Sequence, residues 1–346
     1  MKTNIKEMSQ ITGFSPATIS NALNHKKGVN KETAAEVIRV AKEMGYISES
    51  SITKIKLVVY KKNGLIIEDT PFFSLITDGF EKECRACGYD MMMCYLDSRS
   101  EEYEAQVNKL MHDTSAGIVL LGTELDHDDF EIFKQGKCPL ITLDYWNSDM
   151  YCNSVFINNV DSARGAVDYL IQKGHREIGY LKGDFRIKAF QSRGNGYKTA
   201  MTKRELPIDS DYIVTLSTTM DGAYKDMITH LSRKPNLPTA FFSDNDMIAL
   251  GAMKALQEFG YQIPEDISMI GFDDLPFCEI ASPRLTSLRV PKQEMGRVAA
   301  RRMAELIREG EDIKLKIQVC TEFIERDSVK DINATLQQKG IEGNAE

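Results

Sequence analysis

A chain of 346 residues that is 42% hydrophobic and 27% charged is longer than one ordinary domain and has the composition of a soluble globular protein, so two or three domains are expected. Its net charge of −8 is unevenly spread: residues 1–54 hold eight Lys or Arg against five Glu, a balance of +3, which leaves −11 on the remainder. No apolar run reaches membrane-spanning length, and the start reads as a polar helix rather than a secretion signal, which argues against a membrane or exported protein and for the cytoplasm.

Residues 1–46 predict three short helices. Asn4 followed by Glu7 reads as a capping box, Ile5, Met8 and Ile11 form a helical stripe, and Gly13 turns the corner. A second helix opens with Ser15 as cap and Pro16 at the first helical position, where a missing N–H costs nothing. Ile19, Ala22 and Leu23 turn inward and leave small and polar side chains outside. Asn30 caps a third helix whose Val37, Ile38, Ala41 and Met44 close the small core, with Gly45 at its end. A polar helix held outward by two others is a helix-turn-helix shape that fits the DNA major groove, and the basic balance of the segment agrees.

Residues 47–54 form a short linker. From residue 55 to 330, near-continuous apolar runs (57–60, 91–95, 117–121, 140–143, 155–157, 178–181, 240–242 and 268–271) alternate with helical patterns (74–86, 102–112, 162–173, 247–259 and 293–308). Apolar strands separated by helices predict parallel sheets covered on both faces. One sheet would not take all these strands, so two α/β lobes are expected, with a first crossover near Ile157–Asp161, a return around Pro283–Pro291 and a third crossing near residue 318. Gly88, Gly174 and Gly260 each precede an aromatic residue or His, the pattern of left-handed helix ends. The polar tail, 331–346, carries no leucine heptad. Seven cysteines, an odd number, fit reduced thiols, and Cys84-x-x-Cys87 has no second pair at metal spacing, so it reads as two helix-packing thiols. No P-loop, dinucleotide fingerprint or nucleophile elbow is present, and no catalytic residue, metal or cofactor is expected.

Several strings resemble the lac-repressor/gal-repressor (LacI/GalR) family of bacterial transcription regulators. They include Asn4-Ile5-Lys6-Glu7, Ser15-Pro16-Ala17-Thr18-Ile19-Ser20, Ala41-Lys42-Glu43-Met44-Gly45-Tyr46, Asn245-Asp246-Met247-Ile248-Ala249-Leu250-Gly251 and the long block Ile263 to Asp274. The resemblance covers almost the whole chain. It implies a helix-turn-helix head on a two-lobed body shared with periplasmic sugar-binding proteins. It also implies DNA contacts from Ser15, Pro16, Ala17, Thr18, Ser20, Asn21 and Asn24, to which His25 and Lys26 add candidate phosphate contacts. Asn21 stands where many relatives carry Arg, which predicts adenine rather than guanine at the base it reaches. The family's ligand contacts map to Phe72, Phe73, Asp144, Arg193, Asn245 and Asp273; Trp146, the one tryptophan, and Met220 join them as candidates. Carboxylates, a guanidinium fork and aromatic faces suit a sugar.

Two features depart from the family. The Ala-Arg-x-Leu element that follows the third helix in relatives is missing, which questions a central minor-groove kink, with Ile52 as a candidate substitute wedge. Asn158-Asn159 replaces an acidic-Asn pair at the first crossover. The expectation is a homodimeric repressor of carbohydrate-catabolic genes that binds a pseudo-palindromic operator and is switched by a sugar. A sugar receptor without DNA function and a doubly wound enzyme are the alternatives.

Overall fold

Why the apolar runs lack alternation is visible at the first body strand. In a computed structural model, β1 (Lys54–Lys61) sends Ile55, Leu57 and Val59 to one face of its sheet and Val58 and Tyr60 to the other, and both faces are buried. The structure describes residues 4–23, 29–44, 52–68, 70–136, 138–148, 150–310 and 313–334. Asn24, His25, Lys26, Gly45, most of the linker and the end of the tail lie outside these residues.

The head contains α1 (Ile5–Thr12), α2 (Pro16–Leu23) and α3 (Lys31–Glu43). Met8, Ile19, Ala22, Val37 and Ala41 form its core, with Ile5, Phe14, Leu23 and Met44 packed against them. The Asn4–Glu7 capping box forms, with Asn4 Oδ1 accepting the Glu7 N–H at 3.1 Å, and Gly13 ends α1 at φ 74°. Asn30 caps α3 by accepting the Thr33 N–H at 2.7 Å.

After β1 come α4 (Phe72–Ala86), β2 (Asp90–Asp97), α5 (Tyr103–His112), β3 (Ala116–Leu121), α6 (His127–Phe133), β4 (Leu140–Leu143) and β5 (Asn153–Ile157). The second lobe is built from α7 (Asn159–Gln172), β6 (Ile178–Gly183), α8 (Lys188–Lys203), β7 (Ile213–Leu216), α9 (Met220–Leu231), β8 (Ala240–Ser243), α10 (Asp246–Glu258) and β9 (Ser268–Ile270). The chain then runs through α11 (Phe277–Ile280), β10 (Ser287–Arg289), α12 (Lys292–Glu309), β11 (Lys316–Val319) and β12 (Glu322–Ile324).

Among the described residues, lobe 1 is a parallel sheet in the order β11-β5-β4-β3-β1-β2, and lobe 2 a parallel sheet in the order β7-β6-β8-β9. In lobe 1, α4 and α12 cover one face while α5 and α6 cover the other. In lobe 2, α7 packs on α8 and α9 on α10. The chain changes lobes after β5, at β10 and between β11 and β12, and the antiparallel β10–β12 ribbon joins the last two crossings. Backbone meets backbone where α4 crosses α12: a Cβ on Gly79 would stand 2.0 Å from the Gln293 carbonyl oxygen, and one on Gly296 2.1 Å from that of Ile76. Glycine is therefore a packing requirement at both positions.

Gly88, Gly174 and Gly260 lie at φ 82°, 98° and 90°, the left-handed ends expected after their helices. Cys84 is buried in α4, where loss of solvent pushes its thiol up to about 12. Ile52 packs against the core of the body, which places it with β1 rather than free to act as a wedge. No helix among the described residues is long and apolar enough to cross a membrane.

Candidate functional site

At α2, the Ser15 hydroxyl accepts the Thr18 N–H at 3.1 Å and lies 2.9 Å from the Thr18 hydroxyl, so the cap that starts the helix also orients its first polar side chain. Ser15, Pro16 and Ala17 are exposed, Thr18, Ser20 and Asn21 half-buried, and Ile19 and Ala22 buried in the head. Small side chains thus front the N-terminal turn of the helix, the part that enters a groove deepest in this motif.

The body's candidates gather where the strands of both sheets end. Ligands bind at this carboxyl edge in open α/β sheets. Asp144 follows β4 with φ 56°, and Asp273 lies beyond β9 with φ 106°. Left-handed backbone at a non-glycine residue costs on the order of 1–3 kcal/mol and persists where the surroundings impose it. Both carboxylates are buried. Asp144 accepts the Thr123 hydroxyl at 2.7 Å, and burial pushes its carboxyl up to about 6 against the opposing pull of Thr123 and Arg193. Burial also raises Asp273, with Arg193 and Lys292 opposing it.

Arg193 is built into the wall of the cleft. Only 3% exposed, it donates to Asn159 Oδ1 at 2.9 Å, to the Asp244 carbonyl at 2.6 Å and to Asp273 Oδ1 at 3.1 Å, and it lies 3.6 Å from the centre of the Phe272 ring. It ties the first crossover, the end of β8 and Asp273 into one wall. Asn159, the second member of the departing Asn pair, is one of its acceptors.

Phe72 and Phe73 open α4, buried and edge-on to each other at 5.1 Å. Lys292 reaches this pair from the start of α12: its ammonium sits 5.5 Å from the Phe72 ring centre and donates to the Asp273 carbonyl. Burial lowers the Lys292 pKa, and the nearby Asp273 and Asp246 carboxylates oppose that shift. Asn245 caps α10 through its Oδ1, which accepts the Ile248 N–H at 3.0 Å. Trp146 is 47% exposed and borders a cavity of about 230 Å³ with Asp144, Asn159, Lys188, Ser192 and Gln318. Met220 stands apart: at the start of α9 it packs against the lobe 2 core, and its carbonyl lies where Gly251 of α10 makes its close approach.

Sequence reasoning missed several participants. Asp244 is fully buried and accepts from Tyr180, from Arg186 and from the Gly183 N–H at 2.8 Å. Asp246, also fully buried, accepts the Ser287 hydroxyl at 2.6 Å and the Leu275 N–H at 2.8 Å, and burial raises it to about 7. Thr123, Asn159 and Lys292 are the others. Their partners lie far away in sequence, so spacing carries no signal for them; the Asn158-Asn159 departure was the one pointer.

Residues 167–329 match the periplasmic binding protein-like domain family. Over 334 residues the chain is 29% identical to the HTH-type transcriptional repressor PurR of Vibrio parahaemolyticus, covering 95% of this chain and 99% of that protein. In fold it is similar to the transcriptional regulator CelR in its complex with cellobiose, with a TM-score of 0.72 at 24% identity over 94% of this chain and 99% of that one. It is likewise similar to the lac repressor dimer bound to operator and the anti-inducer ONPF, with a TM-score of 0.71 at 20% identity over 95% and 100% of the two chains.

Proposed function

We propose that the chain is a DNA-binding, ligand-responsive transcriptional repressor of the LacI/GalR type, as its likeness to the PurR repressors supports, and that a small sugar held between its two lobes sets its affinity for operator DNA. The observation that carries this reading is the convergence of polar groups from both lobes on one cleft. Asp144 and Trp146 come from lobe 1, Lys188, Ser192 and Asn195 from lobe 2, and they share the cavity of about 230 Å³. That volume lies below the range typical of drug-sized ligands and suits a single sugar ring. One Asp144 oxygen is held by Thr123, which leaves the other to accept from a sugar hydroxyl. The relative solved with cellobiose shares this architecture.

The protein acts as a cytoplasmic homodimer, placing two α2 helices on a pseudo-palindromic operator, with Ser15, Pro16, Ala17, Thr18, Ser20 and Asn21 meeting DNA. Sugar binding favours one arrangement of the lobes, and the switch is as large as the difference in sugar affinity between the two arrangements. The regulated genes are those for catabolism of the same sugar.

A thermal-shift screen of the purified protein against mono- and oligosaccharides, sugar phosphates and purines tests the proposal. A ligand that binds the native state at 100 times its Kd stabilises by about 2.7 kcal/mol, readily seen as a raised Tm. A rise with one neutral sugar is expected. A rise confined to a nucleobase or a phosphorylated ligand would overturn the sugar reading and leave the family assignment intact.

A further inference from the structure

In the lobe 1 sheet β1 is followed by β2 on one side and β3 on the other, so the crevice between the ends of β1 and β3 is its topological switch point. A ligand is expected there, and the protein fills the place itself. Glu124, 2% exposed, projects its carboxylate into the loop that leaves β1. Its Oε2 accepts the backbone N–H groups of Lys62, Asn63 and Gly64 at 2.9, 3.0 and 2.9 Å, and its Oε1 those of Ile66 and Ile67 at 3.0 and 3.2 Å. Successive N–H groups turned toward one point make an anion-binding nest. Here the anion is a side chain of the same lobe. The loop is fastened from outside as well: Arg99 donates to the Asn63 carbonyl at 2.8 Å, and Lys61 pairs with Glu68 at 2.6 Å.

This loop leads directly to Phe72 and Phe73 at the start of α4. The residue before Glu124 is Thr123, whose hydroxyl holds Asp144 at 2.7 Å. One dipeptide therefore holds both the Asp144 carboxylate and the loop that precedes Phe72 and Phe73. We infer that Glu124 is a positioning residue for the effector site: it acts as a built-in anion that fixes the 62–67 loop and so sets the aromatic pair against the cleft. The inference rests on the cleft being the effector site. It makes the lobe 1 face preformed, so that ligand binding moves lobe against lobe rather than ordering a loop.

Hydrogen–deuterium exchange on the full-length protein tests this without any ligand. Glu124→Gln keeps the shape but turns an NH₂ toward one set of N–H donors. The amides of 62–67 and of the first turn of α4 should exchange at least tenfold faster, while those of β6 and β8 stay as in the wild type. Glu124→Asp, which keeps the charge on a shorter stem, should restore part of the protection and also serves where Glu124→Gln does not fold. Unchanged exchange at 62–67, or equal acceleration in both lobes, would overturn the inference. The readout is independent of the sugar screen, so failure of the effector reading and failure of the role of Glu124 are told apart.

Discussion

Replacing Arg193 by Met offers a sharp test of the wall between the lobes. The guanidinium is buried and has three acceptors, one of them the Asp273 carboxylate at 3.1 Å. Met keeps the stem volume and contact with Phe272 but leaves Asp273 with Lys292 as its remaining nearby cation. Removing one partner of a buried ion pair destabilises by about 3–5 kcal/mol. At about 2–4 °C per kcal/mol for a body of this size, Tm falls by roughly 10 °C. The loss also carries a pH signature. Burial already holds the Asp273 carboxyl above its ordinary value, and Arg193 is the largest opposing influence, so the variant raises it further. A carboxyl raised on folding lowers stability as pH climbs from its ordinary value through its folded value. The Tm deficit should therefore be larger at pH 8 than at pH 5, because a carboxyl raised further by the loss of Arg193 is nearer to protonation at the lower pH. Calorimetry of the Arg193→Met protein at the two pH values decides it; a deficit under about 2 °C, or one equal at both, refutes the reasoning.

Asp144→Asn removes a buried charge whose carboxyl is pushed up to about 6. Wild-type stability should fall by up to about 3 kcal/mol between pH 4 and pH 6.5 on account of this group. The variant should lack that slope in thermal scans and lose any sugar-induced Tm shift. Gly296→Ala drives a methyl into the Ile76 carbonyl, 2.1 Å from the new Cβ; a loss of at least about 1–3 kcal/mol is expected in urea unfolding, and an unaltered midpoint would mean that α4 and α12 separate freely. Ser15→Ala removes the α2 cap and should weaken the head by about 1 kcal/mol, measured as reduced operator affinity in gel shifts with sugar-dependent Tm shifts unchanged. Asn21→Arg should move the selected base from adenine toward guanine at one half-site position, a preference of about 1–3 kcal/mol; binding selections that return the same consensus would remove the adenine reading.

The head and the lobe cores were legible because each rests on local rules: capping pairs in α1 to α3, near-continuous apolar runs in β1, β3 and β8, and glycine ends at 88, 174 and 260. Elements that obey no such rule stayed hidden. β7 is an edge strand whose Thr215 is exposed, and β10 and β12 are three-residue strands that form by pairing with each other. α8 has little apolar stripe because Gly194 and Gly196 supply its contacts by closeness, the first against the Tyr180 ring and the second against the Val160 carbonyl. The same division runs through the cleft. Asp144 and Asp273 stand at strand ends that a hydropathy pattern reveals. Glu124 and Asp244 are anions buried in the ends of sheets, and their partners are backbone N–H groups or side chains about 60 residues away. Arg193 was legible as a residue and not as a role, since its acceptors come from three separate elements.

The order of the strands also bears on how the protein is made. Lobe 1 starts first but is completed last: α12 and β11 belong to it, yet follow the whole of the lobe 2 sheet in the chain. At ribosomal rates the interval between β5 and β11 is on the order of ten to thirty seconds. For that time the backbone of α4 at Ile76, Gly79 and Phe80 lacks the α12 backbone it packs on, and the β5 edge of the nascent sheet lacks β11. Lobe 2, encoded in one stretch for its sheet, can condense meanwhile. A stop codon near residue 290 would consequently wound the half of the body translated first, and a holdase acting during synthesis would find its target on α4.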